Sequence, residues 1–376
     1  MMRLVVATDS FKGSLTASQV ASSLAAGWKE ADHDMITAVP MADGGEGTCD
    51  AILKARPGDC RQALVTNPYG GSVQASFGVL PESGLAVLEM AAASGLHLVP
   101  PGKRDPRNAS TYGTGELLRA ALDTGAHEII IGVGGSATND GGAGMSQALG
   151  FRLLDAQGKE LPSGGAALAR LSSIACPDDL DRIRSVKIRV ACDVTNPLCG
   201  DYGATAVYGP QKGVQPDQVV QLDTALAHFA DVLEETFGVS VKGLPRAGAA
   251  GGLAAGLHAF LGASLENGAQ LVAEAIGLED AIRHADLIVT GEGRMDGQTL
   301  NGKAPFGVLE IARRHGVPVI AIAGSLGPGW EGLLDAGFES VEALVTGRQA
   351  TPDDYAQTEV RLRAWATEKA HSWHEK

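Results

Sequence analysis

Four glycine-rich segments, each placed where a short apolar run gives way to a helical pattern, constrain this chain more than any other feature. They read Asp9-Ser-Phe-Lys12-Gly13-Ser14, Met41-Ala-Asp43-Gly44-Gly45-Glu46-Gly47-Thr48, Gly132-Val-Gly134-Gly135-Ser136-Ala-Thr138-Asn139-Asp140-Gly141-Gly142 and Thr290-Gly-Glu292-Gly-Arg294-Met-Asp296-Gly297. Strand, turn and helix in that order build a parallel sheet covered on both faces. Glycine lets backbone N–H groups approach an anion, a helix start favours negative charge, and carboxylates hold divalent cations. Together the segments point to a site for a phosphorylated, metal-bound ligand assembled from distant parts of the chain.

Leu4 to Thr8 reads as a buried strand, and Thr16-Ala-Ser-Gln19 as a capping box that opens a helix. Ala17, Val20, Ala21, Leu24, Ala25 and Trp28 then recur at helical spacing. Met35 to Val39 resembles a second strand, with a short helix from Cys49 to Ala55 beyond the glycine-rich turn. The other end repeats the alternation: helix Ala269 to His284, strand Asp286 to Thr290, helix Ala304 to His315, then strands Val317 to Ala323 and Val341 to Val345. The middle differs, because Val73 to Leu80 and Leu85 to Met90 favour a hairpin. The expectation is an α/β protein in which residues 1–66 and 264–376 form one doubly wound domain. A second α/β domain, 67–263, is inserted between them, with the active cleft between the two.

Composition narrows the function. Of 376 residues, 44% are hydrophobic and 20% charged, which fits a folded soluble protein rather than a disordered one. A formal charge of −14 argues against general binding to nucleic acid or anionic membrane, so an anionic small molecule would have to be met by local cations, helix starts or a metal. The five cysteines form no C-x-x-C pair and suit a reducing compartment. The chain starts directly in a strand, without a basic and apolar leader, and no apolar run is long enough to span a bilayer. A cytoplasmic protein, monomer or homo-oligomer, acting on small molecules is expected.

At this level of detail a resemblance emerges. Asp9 to Ser14, Ala42 to Thr48, Gly134 to Gly142, Ala191-Cys-Asp-Val-Thr-Asn-Pro-Leu198, Gly209-Pro-Gln-Lys-Gly213 and Thr290 to Gly297 resemble, in matching order, the type-1 bacterial glycerate kinases. The similarity runs over essentially the whole chain. It implies ATP-dependent phosphorylation of D-glycerate, a Mg2+ requirement, and a flavodoxin-like domain interrupted by an inserted one. It favours 2-phosphoglycerate over 3-phosphoglycerate as product.

The residues support such chemistry on their own terms, since phosphoryl transfer needs positioning, metal ions and donors around the transferred group. Lys12 can neutralise a phosphate or carboxylate, and Ser10 and Ser14 supply hydroxyls; the plain alternative is a surface lysine beside a capping serine. Asp43 and Glu46 can hold a metal or accept from substrate hydroxyls, although an Asp before a helix is commonly just a cap. Gly134, Gly135, Ser136, Thr138 and Asn139 form the candidate nucleotide-phosphate cradle, where glycines alone would mean only tight packing. Asp193 and Asn196 follow a strand; Asn196 can contact the substrate or a phosphate, Asp193 either binds Mg2+ or receives the hydroxyl proton, and a lone strand-end Asp is more often a turn former. Lys212 can bring a cation to the same cleft. Glu292 and Asp296 can join Asp193 as metal ligands, Arg294 can fork onto an anion, and Lys303 can reach a phosphate or carboxylate. Gly297 to Lys303 approaches a P-loop, but Ala304 stands where that motif needs Ser or Thr.

Two other classes compete with a kinase. A nicotinamide-dependent hydroxy-acid dehydrogenase would share the architecture but needs Gly-x-Gly-x-x-Gly after the first strand, which is missing. A non-catalytic hydroxy-acid sensor would need fewer acids and no nucleotide cradle.

Overall fold

The computed structural model describes residues 1–31, 34–347 and 350–374. Its strands are β1 (Arg3–Thr8), β2 (Met35–Ala38), β3 (Asp59–Thr66), β4 (Ser72–Leu80), β5 (Leu85–Glu89), β6 (Glu128–Gly132) and β7 (Arg152–Leu154). They continue with β8 (Ser173–Ala175), β9 (Lys187–Cys192), β10 (Ser264–Asn267), β11 (Leu287–Met295), β12 (Val319–Leu326) and β13 (Ser340–Val345). The chain divides into two compact units: Met1–Asp43, Asp50–Arg56 and Gly268–Lys376 form the first, Gly44–Cys49 and Pro57–Asn267 the second.

The first unit carries a sheet in the order β13-β12-β11-β1-β2, and every pairing in it is parallel. Counted within the unit this is the order 2-1-3-4-5, the flavodoxin-like arrangement, with its switch point between β1 and β11. Leu4 to Thr8 are all buried, as a central strand covered on both faces requires. The helix Ala17–Ala31 opens with the expected reciprocal cap: Thr16 N–H donates to Gln19 Oε1 at 2.9 Å, and Gln19 N–H to Thr16 Oγ1 at 3.3 Å. Its Val20, Leu24 and Trp28 join Leu4, Val6, Ile320 and Leu362 in one core. The C-terminal helix Thr358–His374 packs on it closely, because a Cβ at Gly27 would sit 2.2 Å from the Arg363 carbonyl oxygen.

Two expectations change here. The helix foreseen over 269–284 is two helices, Gly268–Ile276 and Leu278–Ile282, separated by Gly277 at φ +70°. The fourth glycine-rich segment is mostly strand, since β11 runs on to Met295 and pairs Glu292 with Ala323 and Arg294 with Ser325. Its glycines serve close approach: a Cβ at Gly291 would lie 2.0 Å from the Ile322 carbonyl oxygen, and one at Gly324 2.5 Å from that of Gly293.

In the second unit a six-stranded sheet runs β10-β9-β6-β5-β4-β3. Its first four strands are mutually parallel, and β5-β4-β3 form an antiparallel meander. The foreseen hairpin is present as β4 and β5. Residues 59–66, expected in the first domain, instead pair with β4 in full register from Asp59↔Val79 to Thr66↔Ser72. A small antiparallel ribbon, β7-β8, completes the strands. The helices Val219–Phe237 and Leu253–Leu261 seal the core, where Phe151 and Phe260 pack with ring centroids 4.8 Å apart. Among the described residues no helix is long and apolar enough to cross a membrane.

Candidate functional site

In the first unit three acids converge at the carboxyl ends of neighbouring strands. Asp9 follows β1 directly, Asp43 lies in the segment leaving β2, and Glu292 sits in the outer part of β11. Ligands of open parallel sheets bind at such strand ends, at the switch point. All three are buried. Asp9 accepts the Ser10 N–H at 2.6 Å, while its own N–H donates to the Gly291 carbonyl at 2.9 Å and so ties the loop to β11. Its pKa is pushed up to about 8, first by burial and then by the neighbouring Asp43, with Glu292 adding to the rise; the Ser10 N–H and Lys12 oppose it. Burial likewise raises Glu292, again with Asp43 adding, against Lys303 and Thr299.

Cations and hydroxyls flank these acids. Lys12, largely exposed, brings its Nζ to 3.7 Å from Asp43 Oδ2. Lys303 Nζ lies 3.3 Å from Glu292 Oε2, and the Thr299 hydroxyl donates to Glu292 Oε1 at 2.7 Å. Ser10 is half-buried beside Asp9. Other expected members take structural posts. Asp296, expected as a metal ligand, caps the turn Gly297–Asn301, accepting the Gln298 N–H at 2.9 Å. Arg294 Nε stands 3.6 Å from Asp296 and is mostly exposed, and the Ser14 hydroxyl donates to the Tyr355 carbonyl at 2.9 Å.

The second unit explains its glycines by packing. The Gly44–Gly47 segment lies against the ends of β6 and β9. A Cβ at Gly132 would be 2.6 Å from the Gly44 carbonyl oxygen, one at Gly134 2.6 Å from Gly45 Cα, and one at Gly44 2.7 Å from the Ala191 Cβ. Gly134 N–H donates to Gly44 O at 3.4 Å and Gly141 N–H to Gly251 O at 3.0 Å, so these amides serve the protein rather than an anion. Gly135, at φ +73°, turns the chain, and its carbonyl accepts the Leu96 N–H at 2.8 Å. Glu89, which no sequence pattern marks, ends β5 and accepts the Gly47 and Cys49 N–H groups at 3.2 and 2.8 Å, fixing the end of this segment. Glu46 itself is exposed.

Asp140 and Lys212 are framework groups. Asp140 accepts from Thr111 N–H at 2.8 Å, Thr111 Oγ1 at 2.9 Å, and Gly142 and Gly144 N–H at 3.2 Å each. Lys212, expected to reach a ligand, is buried and donates to Ser136 Oγ and the Thr138 carbonyl, both at 2.7 Å. Burial pulls its pKa down to about 7, against the pull of Asp140. Asn139 Nδ2 donates to Thr205 Oγ1 at 2.9 Å, whereas its Oδ1 and the Thr138 hydroxyl are buried without a partner. Asn196, expected at the substrate, closes its own loop: its Nδ2 donates to the Tyr202 carbonyl at 2.8 Å and its Oδ1 accepts the Tyr208 hydroxyl at 2.7 Å. Asp193 follows β9 and is exposed; burial and then Asp193 raise the pKa of Tyr208.

A divalent cation suits the first-unit acids by donor chemistry, since Asp9, Asp43 and Glu292 present only hard oxygen donors and repel one another. Among the described residues no three His, Cys, Asp or Glu side chains close into a metal cage. Mg2+ does not ask for one, because it is ordinarily held by one or two carboxylates plus water and substrate phosphates. Asp9 stood in the sequence beside Lys12, but its burial among acids could be found only in three dimensions.

Comparison with known proteins gives the family. The model of the glycerate kinase family matches residues 4–374. The chain is 49% identical to a glycerate 2-kinase of Escherichia coli over 346 residues, 92% of this chain and 91% of that protein. It is 48% identical to a glycerate kinase of Bacillus subtilis over 94% of this chain and 93% of that one. A crystal structure described as glycerate kinase 2 from Salmonella typhimurium superposes with a TM-score of 0.88 at 45% identity, covering 100% of this chain and 98% of that one. The chain is thus a kinase and belongs to the glycerate kinase family.

Proposed function

We propose that this chain transfers the γ-phosphoryl group of ATP to a hydroxyl of D-glycerate, giving 2-phosphoglycerate. The crowding of Asp9, Asp43 and Glu292 at the ends of β1, β2 and β11, with Lys12 and Lys303 beside them, carries the reading. Phosphoryl transfer asks little covalent chemistry of a protein and much positioning and charge stabilisation. Mg2+ would be held by these carboxylates and would neutralise charge on the phosphates. Lys12 and Lys303 act as point charges toward phosphate or carboxylate oxygens. Asp193, an exposed carboxylate at a strand end, is assigned the proton of the attacking hydroxyl. Similarity to a protein named glycerate 2-kinase favours the 2-phospho product over the 3-phospho one.

The test is ADP formation by the purified protein with ATP and Mg2+, in the presence and absence of D-glycerate. Glycerate-dependent ADP is expected, with a product that enolase consumes without a mutase. No ADP above the glycerate-free blank would reject the reading, and a mutase requirement would move the product to 3-phosphoglycerate.

A further inference from the structure

Two residues other than glycine have positive φ among the described residues, and both lie in one short loop: Arg246 at +73° and Ala250 at +55°. Glycine adopts this conformation freely, whereas a residue with a Cβ is strained by it, and such strain concentrates where function demands a particular side chain. The loop is locked at both ends. Arg246 N–H donates to the Thr195 carbonyl at 3.2 Å and Gly248 N–H to the Asn196 carbonyl at 3.0 Å, so one end is fixed to the segment that follows Asp193. At the other end Gly251 accepts the Gly141 N–H at 3.0 Å, and a Cβ there would lie 2.1 Å from the Thr138 carbonyl oxygen.

The Arg246 side chain is half-buried, and its Nε–H is buried without a hydrogen-bond acceptor. A guanidinium carries its donors as a fork matched to a carboxylate or phosphate, so an unanswered donor on it calls for an anion. Its surroundings locate that anion. Burial pushes the Cys192 thiol up to about 12, with Asp193 adding to the rise and Arg246 opposing it, so both side chains lie near the end of β9.

We infer that Arg246 binds the carboxylate of the hydroxy-acid substrate. The inference rests on the proposed glycerate kinase reading. In a glycerate molecule the carboxylate is separated from either hydroxyl by only one or two carbons, so a group holding the carboxylate must stand close to the acid that acts on the hydroxyl. Arg246 and Asp193 satisfy that demand from two loops joined by the Arg246 to Thr195 hydrogen bond. A nucleotide phosphate offers the same kind of oxygen, and kinetics separate the two sources.

Arg246→Gly is the informative variant, because glycine takes the loop's backbone without strain while removing the guanidinium. In the full-length protein the KM for D-glycerate should rise roughly 10- to 100-fold, the scale of charge-assisted hydrogen bonds lost. The KM for ATP should stay within about twofold, and the melting temperature should hold or rise. Arg246→Lys should lie between wild type and the Gly variant, and millimolar guanidinium should restore part of the Gly variant's glycerate affinity. An unchanged KM for glycerate in the Gly variant, where the wild type turns glycerate over, would overturn this assignment alone. A raised KM for ATP in place of glycerate would also overturn it and move Arg246 to the nucleotide. A wild type with no glycerate-dependent turnover would remove the assignment together with the reading beneath it.

Discussion

Asp9 and Asp140 are both buried acids in loops that leave parallel strands, one in each unit, and burial raises the pKa of both. Their surroundings differ. Asp140 receives three backbone N–H groups and a hydroxyl, a full set of donors for a carboxylate. Asp9 receives the Ser10 N–H and faces two more acids. A buried carboxylate with enough donors holds a loop in shape, whereas one crowded by other acids destabilises the fold until a cation or a proton relieves it. The second kind marks chemistry. Polar residue type alone does not separate the two, since both acids stand in the glycine-rich segments that first drew notice.

The comparison breaks most decisively at Asp140. Asp140→Ala leaves three amides and the Thr111 hydroxyl without their acceptor, at about 1–3 kcal/mol for each buried group left unsatisfied. With some relaxation a total loss of about 4 kcal/mol is expected, read as a fall in the denaturant midpoint at constant slope. A midpoint close to wild type would mean that Asp140 is not the pin its hydrogen bonds describe.

Asp9→Asn should do the reverse. Turnover should fall by roughly 10²-fold, as when a charge used in the chemistry is lost, while stability near neutral pH should hold or rise. The sign follows from linkage. Between the ordinary value of 3.8 and about 8, folded Asp9 binds more protons than the unfolded chain does. Stability from this group is therefore greatest at low pH and falls as pH rises through that window. The Asn variant lacks this fall, so its advantage over wild type in urea unfolding should grow from pH 5 to pH 8. Equal activity, or a variant whose advantage shrinks with pH, would return Asp9 to the class of Asp140.

Much of the fold was legible because central strands must be apolar on both faces. Leu4 to Thr8 falls inside β1, and the runs foreseen from Asp286 and Val317 begin within two residues of the starts of β11 and β12. The strand β3 was not, because it is an edge strand whose Asp59, Arg61 and Gln62 are exposed and leave no clear alternation. β11 was cut short because Gly291 and Gly293 read as a turn, while in the sheet they allow close packing against β12 and the loop after β1. At the site, the sequence marked Lys12, Asp43, Glu292 and Lys303, which the fold gathers in the first unit. It did not mark Asp9, Glu89 or Arg246, whose distinction lies in burial, partners and backbone angle. It also credited Lys212 with reaching a ligand, because a lysine in a glycine-rich loop is ordinarily exposed.

Lys212 gives the smallest effect and the sharpest sign. Its folded pKa of about 7 lies below the ordinary 10.5, so between those values the unfolded chain binds more protons than the folded one. Stability from this group therefore rises with pH across that window, opposite to the trend from Asp9. Lys212→Met fills similar space and removes the titrating amine, but it leaves Ser136 Oγ and the Thr138 carbonyl without their donor. At pH 6.5 the relief of a buried charge offsets those lost bonds, and the net change should be only about 1 kcal/mol. By pH 9.5 the wild-type amine is mostly neutral and still donates both bonds, so the gap between wild type and variant should widen in favour of the wild type. Urea unfolding at the two pH values reads this directly. A gap that stays constant, or narrows, would mean that the ammonium is solvated in the folded chain and that Lys212 is free to meet a ligand after all.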